Sequence, residues 1–325
     1  MSQPSVIDSK LFDPAAIDPE TADFIERIEK ELSAMPPLYK FEPQAIRDAR
    51  AAGYSIFGAI KHLDEAQDRR VPGPAGDIPI RVFIPEKAAG VYMHIHGGGF
   101  MLGTADQHDE LLFEICRACQ TAVVSVGYRL APENPYPAGP DDCEAVAVWL
   151  AENSSAEFGT DRLIIGGESA GANLSAVTLL RMRDRHGFRG FCGAVLTYGA
   201  YDMSMTPGVR RWGERYLILN TKIIEWFHEN YVQGGNVFDP DISPFYADLS
   251  GLPPAFFTIG TMDPLMEDSL FMHMRWLAAG NPSELAVYPG GIHTFNFFPI
   301  ELAHKANTRI NEFIISAVGS RVQGS

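Results

Sequence analysis

The apolar run Arg162-Leu163-Ile164-Ile165-Gly166 leads straight into Gly167-Glu168-Ser169-Ala170-Gly171. A short apolar run ending in a glycine-flanked serine reads as a buried strand, a sharp turn and the start of a helix. The turn dictates the glycines. A side chain at either position would strike the neighbouring strand or helix, and the hydroxyl would no longer stand out at the strand tip. By itself the pentapeptide arises by chance in roughly one chain in ten of this length. A second signal, His96-Gly97-Gly98-Gly99 at another strand end, arises in roughly a few chains per thousand. Together they point to a serine used as a nucleophile.

The pattern around these motifs sets the architecture. Asp18-Pro19 supplies an N-cap and a first-turn proline, Phe24, Ile25, Ile28 and Leu32 mark one apolar face, and Pro36-Pro37 ends the helix. A second helical pattern runs from Pro43 to Leu63, and no strand signal precedes Ile80-Arg81-Val82-Phe83-Ile84. From there strands at Val91–Ile95, Thr121–Tyr128, Leu163–Gly166 and Gly193–Tyr198 alternate with helices at Asp106–Cys119, Asp141–Ala151 and Ala170–Arg183. The rhythm breaks between 200 and 253, which is helical and aromatic. It resumes with strand Ala255–Ile259, helix Met266–Ala279, strand Glu284–Tyr288 and a last helix, Glu301–Val318. The expected fold class is α/β, a mostly parallel central sheet flanked by helices, with a helical cap over its carboxyl edge. Residues 1–75 are read as the N-terminal part of the cap, 76–199 and 254–325 as the α/β body, and 200–253 as the cap insertion.

Charge narrows the partners. The 325-residue chain carries a formal net charge of -15, which disfavours nucleic acid and anionic membrane, both of which reward a basic surface. It opens Met1-Ser2-Gln3-Pro4-Ser5 and turns acidic, with no basic region followed by an apolar one, so the reading is of a chain without a secretory signal. No apolar stretch approaches the length of a transmembrane helix. The four cysteines are too few and scattered for a disulfide framework. Cys116-Arg117-Ala118-Cys119 has redox-motif spacing but falls late in a helix, so its thiols read as reduced packing residues. A cytoplasmic location is expected, and the sequons at Asn153 and Asn173 are expected to be idle.

A serine hydroxyl is a poor nucleophile at neutral pH; it needs a base, and the base needs orienting. After an elbow of this kind the partners follow in the order acid, then histidine. Among the later histidines, His273 and His304 fall inside helices. His293, in Pro289-Gly290-Gly291-Ile292-His293-Thr294-Phe295, lies in the loop after a strand, where a base can reach a serine at the strand tips. The acid is read as Asp263, in Gly260-Thr261-Met262-Asp263-Pro264-Leu265 after strand Ala255–Ile259. An N-cap aspartate is the plainer reading of that residue, and Glu267 and Asp268 are its rivals in the first turn of the next helix. Backbone N–H groups of Gly98, Gly99 and Ala170 are the candidate oxyanion hole. His96 is read as bracing the loop that includes Gly97. Glu168 either hydrogen-bonds nearby backbone or is an exposed turn acid. His94-Ile95-His96 has metal-ligand spacing, but no second His/Asp cluster answers it, and no metal is expected. The glycines also invite a phosphate-loop reading, but no Gly-Lys-Ser/Thr follows them.

Taken in order, the motifs resemble the hormone-sensitive-lipase-like esterases of the α/β-hydrolase fold. The resemblance rests on His96-Gly97-Gly98-Gly99-Phe100, Tyr128-Arg129-Leu130-Ala131-Pro132-Glu133, Tyr136-Pro137-Ala138 with Asp141-Asp142, Gly-Glu-Ser-Ala-Gly at 167–171 and Asp263-Pro264-Leu265, and covers residue 80 onward. It implies a carboxylesterase acting on short- to medium-chain esters without cofactor or metal, under a cap built from the N-terminus and the 200–253 insertion. Relatives often pair as homodimers through the C-terminal strand and helix; nothing in these residues decides that. Two departures stand out: Ala172 follows the elbow where many relatives have a glycine, and Thr294 follows the base where glycine is common. Thr294 bears on substrate range. Trp212, Leu217, Leu219, Trp226 and Phe227 read either as acyl-pocket lining or as the cap's own core. The same residue types would also serve a lactonase, thioesterase, amidase or acyltransferase. A non-catalytic receptor on this fold is a further reading, against which His293 stands.

Overall fold

The computed structural model describes residues 7–319. Helix α1 (Pro19–Ser33) begins where Asp18 accepts the Thr21 N–H at 3.0 Å, and it buries Phe24, Ile25, Ile28 and Leu32. Helix α2 (Pro43–Ala51) stops well short of the expected Leu63. Gly53 follows at φ 83°, a conformation that ends the helical path and suits glycine. A strand then appears where none was read. β1 (Gln67–Val71), of sequence Gln-Asp-Arg-Arg-Val, pairs antiparallel with β2 (Ile78–Phe83) at the sheet's edge. Edge strands are protected by charge, so β1 lacks the apolar alternation that announces a strand. Residues 67–71 of the stretch 1–75 thus belong to the sheet.

The chain then alternates as expected: β3 (Gly90–Ile95), α3 (Asp109–Cys119), β4 (Thr121–Val126), α4 (Ala138–Phe158), β5 (Leu163–Glu168), α5 (Ala170–His186) and β6 (Phe191–Thr197). Helix α4 is longer at both ends than the expected Asp141–Ala151, closing on Gly159 at φ 74°. Two short helices, α6 (Pro207–Trp212) and α7 (Thr221–Val232), occupy the insertion. β7 (Ala255–Met262), α8 (Met266–Ala278), β8 (Ser283–Ile292) and α9 (Glu301–Gly319) complete the described chain.

The strands form one sheet in the order β1-β2-β4-β3-β5-β6-β7-β8, parallel from β4 through to β8. Every residue of β3, β4 and β5 is buried, as strands covered on both faces must be. Alternate residues feed two cores. Val91, Met93 and Ile95 pack with α4, α5 and α8, while Tyr92 packs on the other face with α3, α9 and α1.

Parallel strands bring their carboxyl ends to one edge, where ligands bind in open α/β sheets. The loops after β3, β5, β7 and β8 carry the four predicted motifs. The insertion is fastened to that edge by Asn173 of α5, whose amide donates to the carbonyls of Ala200 (2.8 Å) and Ile242 (3.1 Å). That buried side chain is committed to structure, consistent with an idle sequon. Among the described residues no helix is long and apolar enough to cross a membrane.

Candidate active site

Ser169 sits at the turn from β5 to α5 with φ 57° and ψ -117°, a combination that non-glycine residues rarely adopt and that costs about 1–3 kcal/mol. The surroundings enforce it. Ser169 N–H donates to Thr197 O at 3.0 Å, and Gly167 and Gly171 leave no room for a Cβ, which at either position would run into the Ile95 carbonyl. The hydroxyl is thereby presented at the strand tip.

His293 Nε2 lies 3.0 Å from Ser169 Oγ. Its Nδ1 lies 2.8 Å from Asp263 Oδ2, and Asp263 Oδ1 accepts the Leu265 N–H at 2.9 Å. All three side chains are buried. Asp263 is not the N-cap of α8, which starts from Leu265 without a side-chain cap; Oδ1 instead closes a tight turn onto the Leu265 N–H while Oδ2 faces His293. The rivals point elsewhere. Glu267 accepts the Gly208 N–H, and Asp268 accepts the N–H groups of Tyr201 (2.9 Å) and Asp202 (3.1 Å) and the Thr206 hydroxyl (3.0 Å). Burial pushes the Asp268 carboxyl up to about 7. His273 is buried against Ser283, and His304 is exposed on α9.

The glycine loop closes the other side. Gly98 (φ 126°) and Gly99 (φ 61°) hold conformations suited to glycine, and a Cβ on Gly99 would strike the Phe227 ring. Among the described residues the N–H groups of Gly98, Gly99 and Ala170 reach no protein acceptor, and all three residues line the pocket beside Ser169. His96 braces this loop. Its Nδ1 faces Gly97 O at 2.8 Å, its ring stacks on Tyr128 at 4.3 Å, and burial drives its imidazole down to about 4, so it is neutral near pH 7.

Glu168 follows neither earlier reading in full. It is buried, and its partner is a side chain: Oε2 lies 3.0 Å from His94 Nε2, whose Nδ1 contacts Ser125 Oγ at 3.0 Å. His94 and His96 thus turn to separate partners. Among the described residues no group of three or more His, Cys, Asp or Glu converges as a metal site would require. Burial raises Cys116 to about 11 and Cys119 to about 12, which keeps both thiols protonated and inert.

A cavity of about 300 Å³ opens over Ser169, at the small end of ligand-binding pockets. Leu219, Phe227 and Thr294 line it. Thr294 has φ 64°, and its Oγ1 is buried without a partner among the described residues. Trp212, Leu217 and Trp226 lie outside the lining: Leu217 is fully buried in core, Trp212 donates to Arg215 O at 2.8 Å, and Trp226 packs beside Phe227. Two supports escaped the sequence reading. The Tyr198 ring meets the His293 imidazole edge-on at 4.8 Å, and its hydroxyl donates to Asn296. The position of Tyr198, at the tip of β6 between two motif-bearing strands, was the available signal.

Comparison with known proteins places the chain by family and fold. A family model described as alpha/beta hydrolase fold matches residues 92–297. The chain is 37% identical over 277 residues to the carboxylic ester hydrolase LipN of Mycobacterium tuberculosis, covering 82% of this chain and 73% of LipN. It is 29% identical to an ethyl acetate hydrolase of Pseudomonas putida, covering 86% and 92%. A hyperthermophilic esterase from the archaeon Pyrobaculum calidifontis superposes with a TM-score of 0.84 at 29% identity, over 93% of this chain and 99% of that one.

Proposed function

Because this chain belongs to the α/β-hydrolase family, in its hormone-sensitive-lipase-like branch, and is a carboxylic ester hydrolase, we propose that it cleaves short- to medium-chain esters through an acyl-enzyme on Ser169. One observation carries this reading: the unbroken contact line from Asp263 Oδ2 through His293 to Ser169 Oγ, at 2.8 and 3.0 Å. His293 takes the serine proton as Oγ attacks the ester carbonyl, then returns it to the leaving alkoxide. Asp263 holds the Nδ1–H tautomer and stabilises the imidazolium. The N–H groups of Gly98, Gly99 and Ala170 receive the oxyanion, each contributing roughly 10²–10³ in rate. Water activated by the same histidine then releases the acid.

The helical segments before β1 and between 200 and 253 act as the cap, and the acyl chain rests on Leu219 and Phe227. A cavity of this size supports short chains over long ones. The test is initial rates on p-nitrophenyl esters from acetyl to palmitoyl, with Ser169→Ala as blank. A Ser169-dependent maximum at short or medium chains is expected. No Ser169-dependent rate on any chain would move the substrate to a lactone, thioester or amide.

A further inference from the structure

The charged side chains that line the pocket are, with one exception, neutralised by neighbours. Lys61 pairs with Glu110 at 3.0 Å, Asp109 with Arg81, and Glu168 with His94. Arg50 is the exception. It sits in the last turn of α2, lines the same cavity as Ser169, and among the described residues forms no ion pair and no side-chain hydrogen bond. Its guanidinium lies 5.9 Å from the Phe57 ring centroid, with Tyr216 also nearby, and the residue is half-buried. In a chain of net charge -15, with Asp and Glu outnumbering Lys and Arg by 41 to 26, an active-site cation without a carboxylate is out of keeping with its surroundings.

We propose that Arg50 is a specificity-determining residue that receives an anionic group, so that the preferred substrate is an ester also bearing a carboxylate. The inference rests on the esterase reading above and names its substrate class. A half-buried guanidinium without a carboxylate partner is only partly solvated, and a substrate carboxylate satisfies it through two parallel N–H···O bonds that the planar fork is shaped to make. The aromatic neighbours set the fork's orientation and leave its donors free. Two plainer roles compete. Arginine in a last helical turn complements the helix dipole, and its stem covers apolar surface. Both predict effects on stability, and neither predicts discrimination between a neutral and an anionic ester.

The experiment therefore reads a ratio. Wild-type enzyme is assayed on two matched pairs: p-nitrophenyl butyrate against the p-nitrophenyl hemiester of glutaric acid, and phenyl acetate against 4-acetoxybenzoate. The first pair puts the carboxylate on the acyl half and the second on the alcohol half. In one pair the anionic ester is expected to have the higher kcat/KM, mainly through a lower KM, with the advantage shrinking as salt is added. Arg50→Met should reduce the anionic-to-neutral ratio roughly tenfold or more, and Arg50→Lys should restore part of it. A wild type that turns over the neutral esters with no anionic preference in either pair overturns the inference and leaves the esterase reading standing. So does a preference that survives in Arg50→Met, or one lost only together with the thermal midpoint. Failure to turn over any of the four esters defeats the esterase reading itself.

Discussion

His94 Nε2 stands 3.0 Å from Glu168 Oε2, a buried contact that ties the residue before Ser169 to the strand leading into the glycine loop. Because His94 also meets Ser125, the adjacent strands β4, β3 and β5 are joined by side chains beneath the site. Replacing His94 by Phe leaves the Glu168 carboxylate and the Ser125 hydroxyl buried and unpaired. The expected loss is about 1–3 kcal/mol, seen in thermal unfolding as a midpoint lower by a few degrees. An unchanged midpoint would show that the contact carries no weight.

The acid assignment is checked by a pair of variants. Asp263→Asn preserves shape and can still accept the Leu265 N–H, but it turns an amide toward His293 and selects the wrong tautomer. A loss of roughly 10⁴ in kcat is expected. Glu267→Gln disturbs only the contacts to Gly208 and Arg211, on the insertion side of α8, so kcat should stay near the wild-type value. Steady-state kinetics decide, and the reversed pattern would transfer the orienting role to Glu267.

Much of the site was legible because its chemistry is written in local sequence. Gly167 and Gly171 announce a close backbone approach, His293 follows a strand, and Asp263 precedes a proline that opens a helix. What was hidden depends on which strands become neighbours. Nothing local says that β3 lies beside β5, so the pairing of His94 with Glu168 was out of reach. The charged edge strand β1 was missed because protection from aggregation replaced its apolar signal. In α7 the helical period was right, but a period does not say which face meets the cavity: Phe227 faces Gly99, while Trp226, about 100° around the helix, does not.

Asp268 makes stability depend on pH. Its carboxyl titrates near 7 in the folded chain, with burial as the first cause, against about 3.9 when unfolded. The folded state therefore holds the extra proton between about 4 and 7, and stability contributed by the neutral form is lost as pH rises through that window. Asp268→Asn keeps an acceptor for the Tyr201 and Asp202 N–H groups and cannot ionise. Its midpoint relative to wild type should improve from pH 4 to 7 and then level off. A difference that is flat across that range would contradict the buried neutral acid.

Phe227 lines the cavity over Gly99, so on the proposed reading, with the acyl chain resting on it, trimming it should move the chain-length optimum. Each further buried methylene is worth about 0.8 kcal/mol, or roughly fourfold in kcat/KM, until the chain meets a wall. Phe227→Ala removes that wall and should shift the maximum on p-nitrophenyl esters to longer chains, with acetyl ester affected least. The same change also thins packing beside Trp226 and is expected to lower the thermal midpoint. Phe227→Leu separates the two effects: it keeps most of the packing and should give a smaller shift in the same direction. If both variants lose rate equally on every chain length, Phe227 holds the glycine loop in place and does not measure the acyl chain.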